Sequence, residues 1–274
     1  MLVTDKNLAM ETKLIEKLDL CIDRCTKKHM DNLWIIDGDE GFGKSTFSVC
    51  CAYYVAFKSG RKFSVDNVFF DIKKMIDFAK STKDQIIIWD EAALGGLSTE
   101  WRSKFQIELT KLLMVARKKR HFYFFNIPKF FKLNEYMLID RSIAMVHVYA
   151  RNELELGRFC YFKKKSKEKL WYDRIKTRQR LYKQHYDFHG TFPNKLAELI
   201  DEDAYEKMKD EAIEKIGTDD DTNTWKIKME DMERKMFKEI PKEWLLKIFP
   251  DATFYRKKKK FAKEITSHSQ LPGL

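Results

Sequence analysis

Leu33-Trp34-Ile35-Ile36-Asp37-Gly38-Asp39-Glu40-Gly41-Phe42-Gly43-Lys44-Ser45 is an apolar run that ends in an acid and passes directly into the pattern GxxxxGK[ST]. The run reads as a buried strand, and strand, glycine loop and helix in that order are the setting in which this pattern binds phosphate. Glycines at 38, 41 and 43 let the loop curl until its backbone N–H groups converge on phosphate oxygens, a turn that Cβ atoms would obstruct. Three of the chain's ten glycines lie within these six residues, which argues against a chance match. Asp39, Glu40, Phe42 and Thr46 complete the phosphate-binding stretch. Lys44 is expected to reach the β and γ phosphates, and Ser45 to put its hydroxyl on Mg²⁺. The helix that starts there aims the positive end of its dipole at the same anion. The implied ligands are ATP and Mg²⁺.

Outward from this loop the chain alternates strand and helix signals. Leu8, Leu14, Ile15, Leu18, Ile22 and Cys25 recur at helical spacing over residues 7–29, with Thr4 or Asp5 as caps. A buried helix over Thr46 to Phe57 stops at Ser59-Gly60. Val68-Phe69-Phe70 is a short strand, and Ile72, Met75, Ile76 and Phe78 build an amphipathic helix over Asp71 to Lys80. Gln85-Ile86-Ile87-Ile88-Trp89 is a continuous apolar run ended by Asp90 and Glu91, as in a parallel strand buried on both faces. A helix over Glu100 to Arg120, a strand over His121 to Asn126 and a strand over Ile143 to Tyr149 follow. Phe159 to Phe162 would add an edge strand. The count from the loop strand onward is five β segments separated by helices. The expected fold class is α/β: a P-loop NTPase with a five-stranded, mainly parallel sheet flanked by helices, plus a small basic helical C-terminal domain.

Asp90 and Glu91 at the end of their strand form a Walker B pair with different duties. Asp90 would hold Mg²⁺, and Glu91 would orient the water that attacks the γ phosphate. With the extra strand at residues 68–70, this glutamate makes the chain resemble the additional-strand, catalytic-glutamate division of P-loop ATPases. Arg117-Lys118-Lys119-Arg120-His121-Phe122-Tyr123-Phe124-Phe125-Asn126-Ile127-Pro128 joins a basic helix end to a buried strand that stops on an amide. There the chain is similar to the FtsK/HerA-like DNA-pumping ATPases and viral packaging ATPases, over roughly residues 30–150. By that resemblance Asn126 would sense the γ phosphate, although the family more often has glutamine there; a strand-terminating turn residue is the alternative reading. The resemblance also implies a homo-oligomeric ring with an arginine acting on the neighbour's nucleotide. Arg117 and Arg120 are the first candidates for it, with Arg102, Arg141 and Arg151 in reserve.

The chain has 274 residues and a formal charge of +11. That excess favours a polyanionic partner, nucleic acid first, with an acidic lipid face as the other reading. Its longest apolar stretch is too short to span a bilayer, and no signal-like N-terminus is evident, so a cytoplasmic location is expected, the host cytoplasm if the protein is viral. Cys21, Cys25, Cys50, Cys51 and Cys160 form an odd set without a CxxC pair, which suggests neither a disulfide framework nor a zinc ribbon. His185 and His189, four apart, have no partner spaced to complete a metal site.

The expected domains are a P-loop domain over 1–162, a helical linking region over 163–223 and a small basic unit over 224–274. Tyr172, Tyr182, Tyr186 and Phe188 interleave with basic residues in the middle region; they serve either as core or as stacking platforms for bases. A turn interrupts the region at Gly190-Thr191-Phe192-Pro193. In the last unit, Pro241, Trp244, Leu245 and Ile248 mark a first short helix and Pro250-Asp251-Ala252 a corner. A second helix would present Arg256, Lys257, Lys258, Lys259 and Lys260 to DNA. That is either a helix-turn-helix or a basic amphipathic helix capping the first domain or meeting a partner. The leading functional reading is an ATP-hydrolysing ring motor acting on double-stranded DNA, with a portal or replication protein as a further partner. An ATP-switched replication or partition factor and a nucleotide or nucleoside kinase compete with it.

Overall fold

The computed structural model describes residues 4–90, 107–114, 116–130, 135–152 and 155–214, with eight positions between 232 and 259. Two compact units divide the chain, Met1–Ile216 and Gly217–Leu274.

The first unit is built on one sheet. Its strands are β1 (Asn32–Asp37), β2 (Val68–Phe69), β3 (Ile86–Asp90), β4 (Phe122–Ile127), β5 (Ala144–Arg151), β6 (Glu155–Lys163) and β7 (Phe188–Thr191). They lie in the order β2-β3-β4-β1-β5-β6-β7. The first five of these are mutually parallel. Every residue of β1, β3 and β4 is buried, which explains why these segments show no polar alternation: helices cover both faces. Trp34, Ile36, Phe122 and Phe124 look toward one face, where they meet α1 (Thr12–Lys28) and α2 (Lys44–Ser59). Leu33, Ile35, Tyr123 and Phe125 look toward the other, against α3 (Ile72–Ser81), α4 (107–114) and α5 (Lys164–Thr177). Each large side chain buried this way contributes roughly 1.5–3 kcal/mol.

The sheet exceeds the expected five strands by two. β6 runs back antiparallel beside β5, and β7 pairs antiparallel with β6, so β6 is no edge. Gly190 and Thr191, the first half of the turn expected here, are the end of β7. A Cβ at Gly190 would come within 3.0 Å of Glu11 and of the Phe159 ring, so glycine allows a close approach there. Residues 163–214 therefore belong to the same compact unit as the sheet. After α5 come α6 (Tyr182–His185), β7, α7 (Leu196–Leu199) and α8 (Glu202–Glu214). His185 and His189 do not share a helix face, since one ends α6 and the other lies in β7.

Helix α1 starts later than its periodicity suggests. Asn7 takes a left-handed φ of 50° and the Leu8 N–H turns back to Thr4 Oγ1, so the helix begins only after Glu11. α3 starts as expected, with the Asp71 carboxylate accepting from the N–H groups of Lys73 and Lys74. The helix expected over Glu100 to Arg120 is seen as α4, followed by a 3₁₀ turn at Ala116–Lys119; residues 100–106 lie outside the described residues.

All five cysteines are free thiols and buried. In the second unit Thr253, Phe254 and Tyr255 are helical, and Phe254 is buried with its ring 5.4 Å from that of Phe237. Lys258 and Lys259 are helical and exposed, whereas Arg256, Lys257, Lys260 and the expected Pro250 corner lie outside the described residues. Among the described residues no helix is long and apolar enough to cross a membrane.

Candidate nucleotide site

Parallel strands bring their C-terminal ends to one edge of the sheet, and the glycine loop leaves β1 on that edge. Gly38 has a φ of 149°, and a Cβ there would stand 2.2 Å from the Val148 carbonyl oxygen of β5, so only glycine can enter the loop here. Gly43 also lies at positive φ, 90°, and as the N-cap of α2 brings no side chain of its own to the helix end. The first N–H groups of α2 are thus left for an anion. Asp39 and Glu40 are exposed and Phe42, Ser45 and Thr46 half-buried, so the loop offers its backbone rather than its acidic side chains.

Lys44 folds back over the loop, its Nζ donating to the carbonyls of Gly38 (2.8 Å) and Asp39 (2.9 Å). Burial pulls its pKa below the usual lysine value, while Asp90 and Asp37 act in the opposite direction. The ammonium therefore sits where phosphate oxygens would be welcome partners.

At the end of β3, Asp90 gathers three donors on one carboxylate oxygen: Ser45 Oγ at 2.5 Å, Asn126 Nδ2 at 3.2 Å and the Tyr205 hydroxyl at 3.1 Å. Asn126 is fully buried at the end of β4, between Ile36 of β1 and Asp90 of β3, and its Oδ1 accepts from Ser48 of α2. A hydroxyl and a carboxylate at the mouth of α2 are the hard oxygen ligands that Mg²⁺ takes from protein, the rest being supplied by water and phosphate. Ser45 and Asp90 would hold it. Among the described residues no cluster of three or more His, Cys, Asp or Glu side chains offers another metal site. Glu91 lies outside the described residues.

Two groups at this edge were not among the expected site residues. Tyr205, 3% exposed, arrives from α8, 115 positions after Asp90, with its ring 5.4 Å from that of Phe70. Asp37, the residue before Gly38, is buried and bound by the Tyr182 hydroxyl (2.6 Å), the Phe130 N–H (3.2 Å) and His147 Nδ1 (2.9 Å). The His147 and Tyr182 rings stack 3.8 Å apart. An acid ending a strand before the glycine loop was the available hint for Asp37; an isolated tyrosine in a helix gave none for Tyr205.

The arginine candidates separate by sheet edge. Arg117 and Arg120 precede β4 and so stand at the edge opposite the glycine loop. Arg117 is exposed there, while Arg120 is held by Asp84 (2.5 Å) and lies 3.3 Å from His29. Arg141 is buried and paired with Asp31, which removes it from any role in trans. Arg151 is exposed at the C-terminal end of β5, on the loop's own edge. Arg102 lies outside the described residues.

A glycine loop feeding an uncapped helix, Ser45 on Asp90, and β4 inserted between the loop strand and the Asp90 strand together define the P-loop NTPase fold class, in its additional-strand arrangement. No protein-family model matches the chain, and no curated protein does. Among solved structures it is similar in part to RuvB of Thermotoga maritima, with a TM-score of 0.36 and 12% identity over 53% of this chain and 47% of that one. The chain thus spans about half the length of RuvB. The N-terminal domain of zonular occludens toxin from Neisseria meningitidis is similar with a TM-score of 0.38 and 17% identity, over 62% of this chain and 98% of the other. The flagellar accessory protein FlaH of Methanocaldococcus jannaschii gives a TM-score of 0.28 and 11% identity, over 49% and 78%.

Proposed function

We propose that the protein is a Mg²⁺-dependent ATPase that acts on double-stranded DNA as a ring-forming motor, in genome packaging or mobilisation. The convergence of Ser45 and Asn126 on Asp90 carries the hydrolytic part of this reading, because it joins the loop helix, the polar end of β4 and the Walker B strand at one point. Bound Mg²⁺ would supply charge neutralisation for the β and γ phosphates. Lys44 and the α2 amides bind those phosphates, and Asn126 relays their presence to Asp90. Glu91, the next residue in the chain, is assigned to orient the attacking water. Arg151 is the preferred arginine for a neighbour's nucleotide, ahead of Arg117 and Arg120, because it is exposed on the loop edge. Arg256 to Lys260 supply phosphate contacts in the second unit.

ATP hydrolysis by the purified chain, with and without duplex DNA, tests this. DNA should raise the rate, and ATP with duplex DNA should drive monomers into a closed ring. Lys44→Ala should abolish tight ATP binding, and Glu91→Gln should bind without cleaving. A rate indifferent to every DNA sinks the motor, and normal turnover by Glu91→Gln sinks the assignment of the catalytic carboxylate.

A further inference from the structure

Residues 163–183 hold ten Lys and Arg against two acidic residues, a net charge of +8 within a chain whose total is +11. This concentration lies on and just beyond α5, far in sequence from the basic run at Arg256. Helix α5 is amphipathic in an unusual sense. Its inward side carries Leu170 and Lys167, both fully buried, with the Lys167 ammonium donating to the carbonyls of Leu138, Ile139 and Ser142 and so closing off the preceding helical turn. Its outward side presents Lys165, Lys169, Tyr172 and Lys176. The intervals of four, three and four put them on one stripe, and all four are exposed, Tyr172 by 59%. Beyond the helix, Arg178 and Arg180 continue the charge, and none of these five cations forms an ion pair among the described residues.

We propose that this stripe is a binding surface for single-stranded nucleic acid. The cations follow the phosphates while Tyr172 stacks on a base. Three lysines spread over about 16 Å of helix match a few consecutive phosphates of an extended strand. An exposed tyrosine ring among them is the device that binds unpaired bases regardless of sequence, since every base has a π-face and a duplex hides it. A membrane surface fits less well: Leu170 is spent on the core, and Tyr172 and Ile175, the exposed large side chains of α5, are too little apolar surface to insert between lipids. The same segment runs on to Tyr182, whose hydroxyl holds Asp37 at the foot of the glycine loop, so a strand on α5 lies against an element that reaches the nucleotide site. The inference takes only the choice of nucleic acid as partner from the function proposed above, and it is measured without ATP.

Fluorescence anisotropy of the full chain with labelled oligo(dT) of about twenty nucleotides, titrated at several salt concentrations, tests it. Tyr172→Ala should weaken oligo(dT) about tenfold, Tyr172→Phe should bind as the parent does, and neither should alter affinity for a duplex of equal length. Replacing Lys165, Lys169 and Lys176 together by Ala should flatten the dependence of log Kd on log salt by about 2, three contacts at ~0.7 each. Unchanged oligo(dT) binding by Tyr172→Ala, an unchanged salt slope in the triple variant, or an equal loss toward duplex overturns the proposal. So does tighter binding of the parent to phosphatidylserine vesicles than to oligo(dT) at the same salt, abolished by Tyr172→Ala. Because binding is read without nucleotide, failure here leaves the ATPase result standing, and an inactive ATPase leaves this one.

Discussion

Removing the Tyr205 hydroxyl should make the protein hold Mg²⁺ with nucleotide more tightly. The phenol donates to the Asp90 oxygen that also receives Ser45 and Asn126, so three donors share one carboxylate oxygen, and one of them, Ser45, is proposed to bind the cation with Asp90. Burial, reinforced by the Asp90 charge, pushes the Tyr205 pKa well up, so the phenol remains a donor at every ordinary pH. Tyr205→Phe keeps the ring against Phe70 and deletes only the hydroxyl. A hydrogen bond to a charged acceptor is worth about 1.5–3 kcal/mol, but Asp90 keeps two other donors, so we take about 1 kcal/mol for this one. The variant should lose that much stability in urea. On the proposed assignment of Mg²⁺ to Asp90 and Ser45, this interaction must be released before the cation binds, so its absence should lower the Mg²⁺ concentration needed for nucleotide binding about fivefold. A fluorescent ATP analogue titrated at stepped Mg²⁺ reads this directly, and the same titration in EDTA should not distinguish variant from parent. An unchanged or higher Mg²⁺ requirement refutes the reasoning, because it would mean that Tyr205 supports the cation instead of standing in its place.

His121 is buried with Nε2 3.0 Å from the Ala79 carbonyl and Nδ1 3.0 Å from the Gln85 N–H, which it accepts in the neutral form. Burial lowers its pKa from 6.5 to about 4, so below pH 6.5 the unfolded chain takes up a proton that the folded chain refuses. Stability should fall by about 3 kcal/mol between pH 6.5 and 4 on this account, and urea unfolding of His121→Gln should show a correspondingly shallower acid dependence. The Arg141–Asp31 pair is buried on both sides, so Arg141→Ala, which strands Asp31, should cost about 3–5 kcal/mol, while Arg141→Met with Asp31→Leu should recover most of it. The Tyr123 hydroxyl is buried with no hydrogen-bond partner among the described residues, so Tyr123→Phe should leave stability unchanged or raise it by about 1 kcal/mol, measured by the same unfolding.

The parallel half of the sheet was legible in the sequence because each of its central strands is covered on both faces and reads as an unbroken apolar run. β6 and β7 were harder to read. β6 alternates only in part, and β7 is four residues long with a glycine, a composition that signals a turn unless the ring of Phe159 beside it is known. In the candidate site, Gly38 to Ser45 and Asp90 could be proposed from the sequence because the chemistry expected of them requires particular residues at fixed spacing. Tyr205 and Tyr182 reach the same site through tertiary packing of a segment that reads as a linker, and spacing along the chain carries no trace of such contacts. Arg117 and Arg120 looked suitable through proximity to β4 in sequence, but strand direction sends them to the far edge. Asn126 was identified as polar at a strand end; its bonds to Ser48 and Asp90 came only with the fold.

The five buried thiols bear on how this protein can be studied. Burial pushes Cys21 and Cys50 up to about 12 and Cys25 and Cys160 to about 11, and takes Cys51 well above its ordinary value. Since the thiolate is the reactive species, thiols buried and held this far from ionisation should react only slowly with a maleimide at neutral pH. The unaltered chain is therefore its own cysteine-silent background: a cysteine introduced at an exposed position such as Lys176 would be the preferred point of attachment for a dye, with the native core left intact.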